Sequence, residues 1–243
     1  MTPTFPGGTS LSHLRVYDWP ADDAPGGSGS PHLHTTSTEA YVVLGGAGRI
    51  ETLGADGYAE TPLTEGAVVW FSPGVVHRVV NDGGLEVLVV MSNAGLPEAG
   101  DAVLTFPPDA LADVDGYRRA AALPPGTGDD VAAAARARRD LALDGYEVLR
   151  RRVRAGGPDA RAALEELWTA AALLVRDRAP GWGRTWSGTV GAAAEATSRA
   201  LGDLAGGTAP HLAAAAVASA RPAQAAEEDR RYGMCGRLRT WEL

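Results

Sequence analysis

The chain has 243 residues, 45% of them hydrophobic and 21% charged, with a formal net charge of −8 at pH 7. That length holds one large domain or two small ones, each with a core. The acidic balance argues for solubility and against a nucleic-acid-binding surface, which needs a basic stripe. All 22 basic residues are arginine, so a Schiff-base lysine and a phosphate-loop lysine are both excluded. One cysteine, Cys235, rules out an internal disulfide and any zinc site built from cysteine pairs.

The N-terminal MTPTFPGGTS has neither the basic start nor the apolar run of a secretory signal. The apolar stretch at 212–220 is mostly alanine and too short to span a bilayer. A cytoplasmic protein without membrane or nucleic-acid partners is the expectation. Cys235 sits in a Gly- and Arg-rich tail with no histidine nearby in sequence, which argues against a catalytic thiol.

Residues 1–106 read as a β domain. The runs 14–19, 40–44, 67–71, 75–80 and 85–91 are rich in valine and aromatic residues, and Gly-Gly, Asp-Gly, Pro-Gly and Asn-Asp-Gly-Gly lie between them. Many short strands at close spacing suggest an antiparallel sandwich or barrel. Gly45-Gly46-Ala47-Gly48 reads as a hairpin turn, because no helix follows to make it a phosphate cradle.

Residues 107–243 read as an α-helical domain, so the fold class is β plus α. A first helix runs from Asp129-Asp130 to Gly156-Gly157, with Tyr146, Leu149 and Val153 on one face. Asp159 caps a second, which carries Leu164, Leu167, Trp168, Ala171, Leu174 and Val175. Ser187 caps a third with a stripe of Val190, Ala194, Thr197, Leu201 and Leu204, and a fourth spans Pro210 to Ala220. Such a bundle packs on the β domain or makes a homodimer interface. In a sharper reading it is a lid, with the Gly-rich loop at 179–188 bringing Trp182 and Trp186 to a pocket.

The chemistry concentrates in "SPHLHTTSTEAYVVLGGAGRI" (30–50). On a strand, His32 and His34 project to the same side. Glu39 falls on the opposite parity, and Thr35-Thr36-Ser37-Thr38 supplies a turn or bulge that aims Glu39, Tyr41 and Val43 back inward. Two imidazoles and a carboxylate then suit a divalent transition metal that keeps open coordination positions. His77 follows a Ser-Pro-Gly turn and shares an inward face with Val75 and Val79. A buried imidazole needs a partner, and a metal is one. His13 and His211 read as non-functional: one precedes a strand, the other opens a helix.

These segments resemble the cupin superfamily, whose first motif runs Gly-x5-His-x-His-x(3–4)-Glu-x6-Gly. Gly26, His32, His34, Glu39 and Gly46 hold that register. The second motif, Gly-x5-Pro-x-Gly-x2-His-x3-Asn, is met by Gly66, Gly74, His77 and Asn81, with Ser72 where proline is usual. The resemblance covers residues 10–105. It implies a jelly-roll barrel of six or more strands holding one ion on His32, His34, Glu39 and His77.

The ion implied is iron, manganese, nickel or zinc. The expected function is that of a metal-dependent enzyme acting on a small organic molecule, with dioxygenase-like oxidoreductase chemistry. Glu39 can double as a base, and Tyr41 lines the pocket. Isomerase or lyase chemistry and a non-catalytic ligand- or metal-binding module, with the helical half as interaction or oligomerisation element, are alternatives on the same residues. By parity the pocket is apolar with one phenol, which favours an aromatic or aliphatic substrate over a sugar phosphate. Arg15 and Arg49 could serve an anion, although an exposed strand arginine is the commoner finding.

Overall fold

The computed structural model describes residues 5–243; the first four residues of MTPTFPGGTS lie outside the described residues. Seven strands come first: β1 (Ser10–Val16), β2 (His32–His34), β3 (Glu39–Gly54), β4 (Gly57–Thr64), β5 (Val68–Phe71), β6 (Val76–Met91) and β7 (Ala102–Leu104). Six helices follow: α1 (Pro108–Leu111), α2 (Val114–Ala121), α3 (Asp129–Ala155), α4 (Gly157–Val175), α5 (Ala179–Trp186) and α6 (Ala192–Ala205). Two strands, β8 (Arg231–Tyr232) and β9 (Gly236–Thr240), end the chain.

The nine strands share one antiparallel hydrogen-bonded network arranged as a jelly roll. β3 and β6 are 16 residues each, and each bends so that its two halves serve two layers. In the first layer β5, the start of β3, the end of β6, β1, β9 and β8 lie in order. In the second, β4 pairs with the end of β3, which pairs with the start of β6 beside β2 and β7. Leu14, Tyr41, Ile50, Leu63, Val79 and Val87, drawn from both layers, meet in a common core. The ladder does not close: among the described residues β4, β5, β7 and β8 remain edges.

Two of the glycine-rich stretches, Gly45–Gly48 and Asn81–Gly84, bend strands rather than turn the chain, while Asp56-Gly57 and Pro73-Gly74 lie at turns as expected. Gly45 to Gly48 is no hairpin but a run of register shifts inside β3, opposite Gly83 to Glu86. Gly46 has φ +75°, and a Cβ on it would collide with the backbone of Gly84 and Leu85. Across from it, Asn81 Oδ1 accepts from the Gly83 and Leu85 amides at 3.0 Å each and fixes the corner of β6.

Helices α3 and α4 form as the periodicity predicts, and their buried faces share a core with Leu33, Leu53, Val76 and Val103 of the second layer. Gly145 permits the approach of α3, since a Cβ there would strike the Thr105 carbonyl. Asp159 lies in the first turn of α4 and pairs with Arg152 at 2.7 Å, the helix having begun at Gly157. Helices α1 and α2, absent from the expected elements, follow Pro107-Pro108, and Asp113 caps α2 by accepting from the Gly116 amide at 2.7 Å.

Further expectations are corrected. Residues 179–188 form no loop: α5 runs through a single π turn (Ser187–Gly191) into α6. Ser187 does not cap; its hydroxyl donates back to the Gly183 carbonyl at 2.8 Å. Trp182 is buried in the helical core, while Trp186 is exposed and donates its indole N–H to Asn93 at 3.1 Å. The stripe along α6 faces solvent, with Leu201 and Leu204 exposed, because among the described residues no neighbouring element covers them. Of the fourth helix only a 3-10 turn at Pro210–Ala214 forms. Finally, the helical region does not run to residue 243. β9 pairs with β1 and β8 pairs with β9, so residues 231–240 belong to the sheet and the helices are an excursion between its seventh and eighth strands. Among the described residues no helix is long and apolar enough to cross a membrane.

Candidate metal centre

β2 and β6 are antiparallel neighbours, and their register sets His32 directly opposite His77. His34 is two residues on, on the same face. Residues 35–38 leave the strand, and β3 restarts at Glu39 from the other layer with its carboxylate turned inward. The parity break anticipated for Glu39 is therefore made by the Thr-rich turn. One donor atom from each of His32, His34, Glu39 and His77 lies within 4.8 Å of all the others, and all four residues are buried.

The protonation pattern decides what the cluster can hold. His32 Nδ1 lies 2.9 Å from the Ser30 carbonyl, His77 Nδ1 3.3 Å from the Val75 carbonyl, and His34 Nδ1 2.7 Å from Asp101 Oδ1. Each partner only accepts, so each Nδ1 carries a proton and each ring turns its Nε2 to the centre. His32 Nε2 and His77 Nε2 stand 3.1 Å apart. Glu39 Oε2 lies 3.1 Å from His77 Nε2 and 3.2 Å from His34 Nε2. Three imidazole nitrogens and a carboxylate oxygen converge in a buried space. A cation resolves that arrangement, and three imidazoles with one carboxylate fit a divalent transition ion.

The electrostatics agree. Burial opposes ionisation of Glu39, but His77 and His34 outweigh it and hold the carboxyl well below the usual carboxylate range. Burial, with His77 and His34 adding to it, pushes His32 well below the usual imidazole value. Burial also works against a charge on His34, yet its hydrogen bonds to Asp101 and Glu39 raise it to about 10. A proton on His34 is thus what a metal ion displaces on binding.

Sequence reasoning missed two neighbours. Asp101, fully buried after β6, holds His34 through one oxygen and takes Thr36 Oγ1 and the Ser37 amide, each at 3.0 Å, through the other. It orients a ligand and locks the turn between the two motif strands, a contact across 67 residues that no local pattern signals. Cys235, far from any histidine in sequence, has its thiol 3.8 Å from both His32 Nδ1 and the Ser30 carbonyl. Burial and then the Glu39 charge keep it protonated. Phe71 packs on His77, ring centroids 4.2 Å apart.

Tyr41 is inward, as parity predicts, and fully buried. Its hydroxyl lacks a hydrogen-bond partner, and burial with the nearby Glu39 charge pushes its ionisation up, so it stays a donor. Trp182 and Trp186 contribute nothing to this centre. Arg15 is half exposed, and Arg49 is engaged with Glu60 and Asp82 on the outer face.

Residues 21–91 match the family described as the cupin domain. Germin-like protein 3-5 of Oryza sativa subsp. japonica is 31% identical over 102 residues, which is 36% of this chain and 45% of that protein. Among solved structures, a recombinant oxalate oxidase in complex with glycolate is 25% identical, covering 36% of this chain and 51% of the other at a TM-score of 0.26. An oxalate decarboxylase variant from Bacillus subtilis is 20% identical, covering 42% and 26% at a TM-score of 0.34. The chain spans less than half the length of the curated relatives it matches. With both motifs in register on a jelly roll, residues 21–91 form a cupin domain within this chain.

Proposed function

We propose that the protein is a divalent-metal-dependent enzyme that acts on a small organic molecule, with dioxygenase-like oxidoreductase chemistry at His32, His34, Glu39 and His77. The single observation that carries this reading is the convergence of three imidazole nitrogens and one carboxylate in a buried space, two of the nitrogens 3.1 Å apart. When bound, a transition ion supplies a Lewis acid with positions left open for a small molecule, and iron or manganese adds a redox couple. The chain's own residues do the rest. The Nδ1 hydrogen bonds fix the three rings, Phe71 and the valines of β6 exclude water, and the unpartnered Tyr41 hydroxyl offers a hydrogen bond to a substrate atom. Glu39 is the carboxylate able to accept a proton. An apolar surround with one phenol favours an aromatic or aliphatic substrate.

The test is metal analysis of the purified protein followed by oxygen uptake with catechols, flavonols, diketones and thiols. Stoichiometric metal and turnover that His77→Ala abolishes support the enzyme. A metal-free protein after reconstitution attempts, or uptake indifferent to His77→Ala, overturns it. A second reading, a binding module that holds a ligand without turnover, is favoured by enclosure: the His34 and Glu39 side chains are only 9% and 7% exposed. Metal without turnover, together with thermal stabilisation by a metabolite, would select it.

A further inference from the structure

Outside the barrel, a hollow of about 450 Å³ opens between α4, the start of α5 and the end of β2. Leu33, Val175 and Trp182 floor it, and all three are buried. Trp168, the Pro73-Gly74 turn, Thr35 and Thr36 also line it. At four-residue steps α4 presents Trp168, Ala172 and then Arg176 just past its end, and the alanine makes room between an indole and a guanidinium. The hollow is also tied to the metal centre. Trp168 Nε1 donates to the Gly74 carbonyl at 2.8 Å, and the Gly74 amide donates to the His34 carbonyl at 2.9 Å. Thr36 Oγ1 donates at 3.0 Å to Asp101, which holds His34 Nδ1 at 2.7 Å. Both the backbone and the ring of this ligand residue are therefore held through residues that line the hollow.

We propose that this hollow is a second ligand site, for a small aromatic carboxylate, and that its occupancy is coupled to metal binding at His34. The coupling rests on the metal reading above, whereas the site itself does not. The volume suits a molecule of one ring, and Trp168, Pro73 and the apolar floor give that ring flat and aliphatic partners. Polar groups decide the rest. The Thr35 and Thr36 hydroxyls donate to Asp101, and the Trp168 N–H is spent on Gly74. Arg176 meets only Asp177, at 3.3 Å, in a pair whose side chains are 72% and 78% exposed, an arrangement of little worth. Among the described lining residues, the Arg176 fork is thus the donor left for a ligand, and it matches a carboxylate. A sugar would find too few partners and a cation would meet a like charge. A ring packed against Pro73 holds the turn where Gly74 grips His34, so occupancy favours the strand as the metal needs it.

Titration calorimetry of the chelator-treated full chain with phenylacetate tests the site, with 2-phenylethanol as its uncharged counterpart. Phenylacetate should bind with a Kd of about 1 mM or tighter. Arg176→Gln should weaken it about 5-fold and leave the alcohol unchanged. Ala172→Trp, which fills the hollow, should abolish both. Ala172 and Arg176 are exposed, and should Ala172→Trp misfold, the Arg176→Gln contrast between acid and alcohol decides. No binding at that level, binding that neither substitution weakens, or binding lost in His77→Ala overturns the site. Saturating phenylacetate should then tighten metal binding about 5-fold or more in chelator competition. Trp168→Phe, which keeps a ring but loses the N–H, should remove that gain. An unchanged metal Kd overturns the coupling. A chain that binds phenylacetate but no metal overturns the coupling and the metal reading together, and leaves the site standing.

Discussion

His77 and Arg78 are neighbours on β6, yet they face opposite sides of one layer and meet two buried carboxylates of opposite circumstance. Outside, Glu51 Oε2 accepts from Arg78 at 3.3 Å and from the Tyr146 hydroxyl at 3.0 Å. Arg78 also grips Asp23 with two hydrogen bonds of 2.8 and 2.9 Å, and Arg150 adds a third at 2.8 Å. Inside, Glu39 faces the Nε2 atoms of His34 and His77. The outer cluster carries its own arginines and so fastens α3 to the sheet. The inner one has no arginine, only a proton on His34 that an ion can displace. Burial of a carboxylate does not mark a binding site; the lack of a fixed cation of its own does.

The contrast can be broken most sharply at Arg78. Arg78→Met takes from Glu51 its nearest cation, leaving Arg49 and Arg150 at 3.6 and 3.7 Å, and is expected to cost about 3 kcal/mol, read from the urea unfolding midpoint. Adding Glu51→Gln should recover part of that loss. A loss of less than about 1 kcal/mol would mean that the outer cluster is not held by internal charge pairing.

Chelation gives the next largest effect, and it belongs to the inner cluster. Metal at a thousand times its Kd stabilises the folded chain by about 4 kcal/mol, so chelator lowers Tm by roughly 8–16 °C. Glu39→Gln and His77→Ala should abolish that shift. In chelator, Glu39→Gln loses only the pairing with His34 and His77 and should cost less than it does with metal bound, a difference that differential scanning calorimetry reads.

Asp101 sharpens the comparison on a smaller scale. Asp101→Asn keeps the shape but loses the charge that fixes the proton on His34 Nδ1. Metal affinity should fall about 10–100-fold in competition with a chromophoric chelator, with the fold retained at saturating metal.

What the sequence disclosed follows the same division. The ligands were legible because strand parity and a four-residue turn are local: His32, His34, Glu39 and His77 lie within two short segments whose alternation fixes their faces. The outer cluster was not, since Asp23, Glu51, Arg78, Tyr146 and Arg150 come from elements whose packing no spacing encodes. Cys235 was set aside for want of a nearby histidine, but β9 closes against β1 across the whole chain and brings it there. The Gly45–Gly48 and Asn81–Gly84 segments carry the residues that turns and bends both need, and only pairing tells them apart. For α6 the stripe was real, but periodicity reports that a face is apolar and not that something covers it.

The smallest effect tests the outer cluster by acid. Its hydrogen bond with Arg78 holds the Asp23 carboxyl well below the usual carboxylate range; burial opposes this, and the Arg78 and Arg150 charges reinforce it. A depressed value means that the stabilisation is complete above the unfolded value of about 3.9 and is lost as pH falls from there towards the folded value. Asp23→Asn should therefore lower Tm slightly at pH 7. Below about pH 4 it should flatten the acid decline by up to one proton's worth of slope, the partial exposure of Asp23 keeping the effect modest. Because Asp23 pairs with arginines and not with an exogenous ion, its acid decline should be the same with and without chelator. A chelator-dependent difference between Asp23→Asn and the parent would show that the two faces of β6 are energetically coupled, and the separation drawn between them would fall.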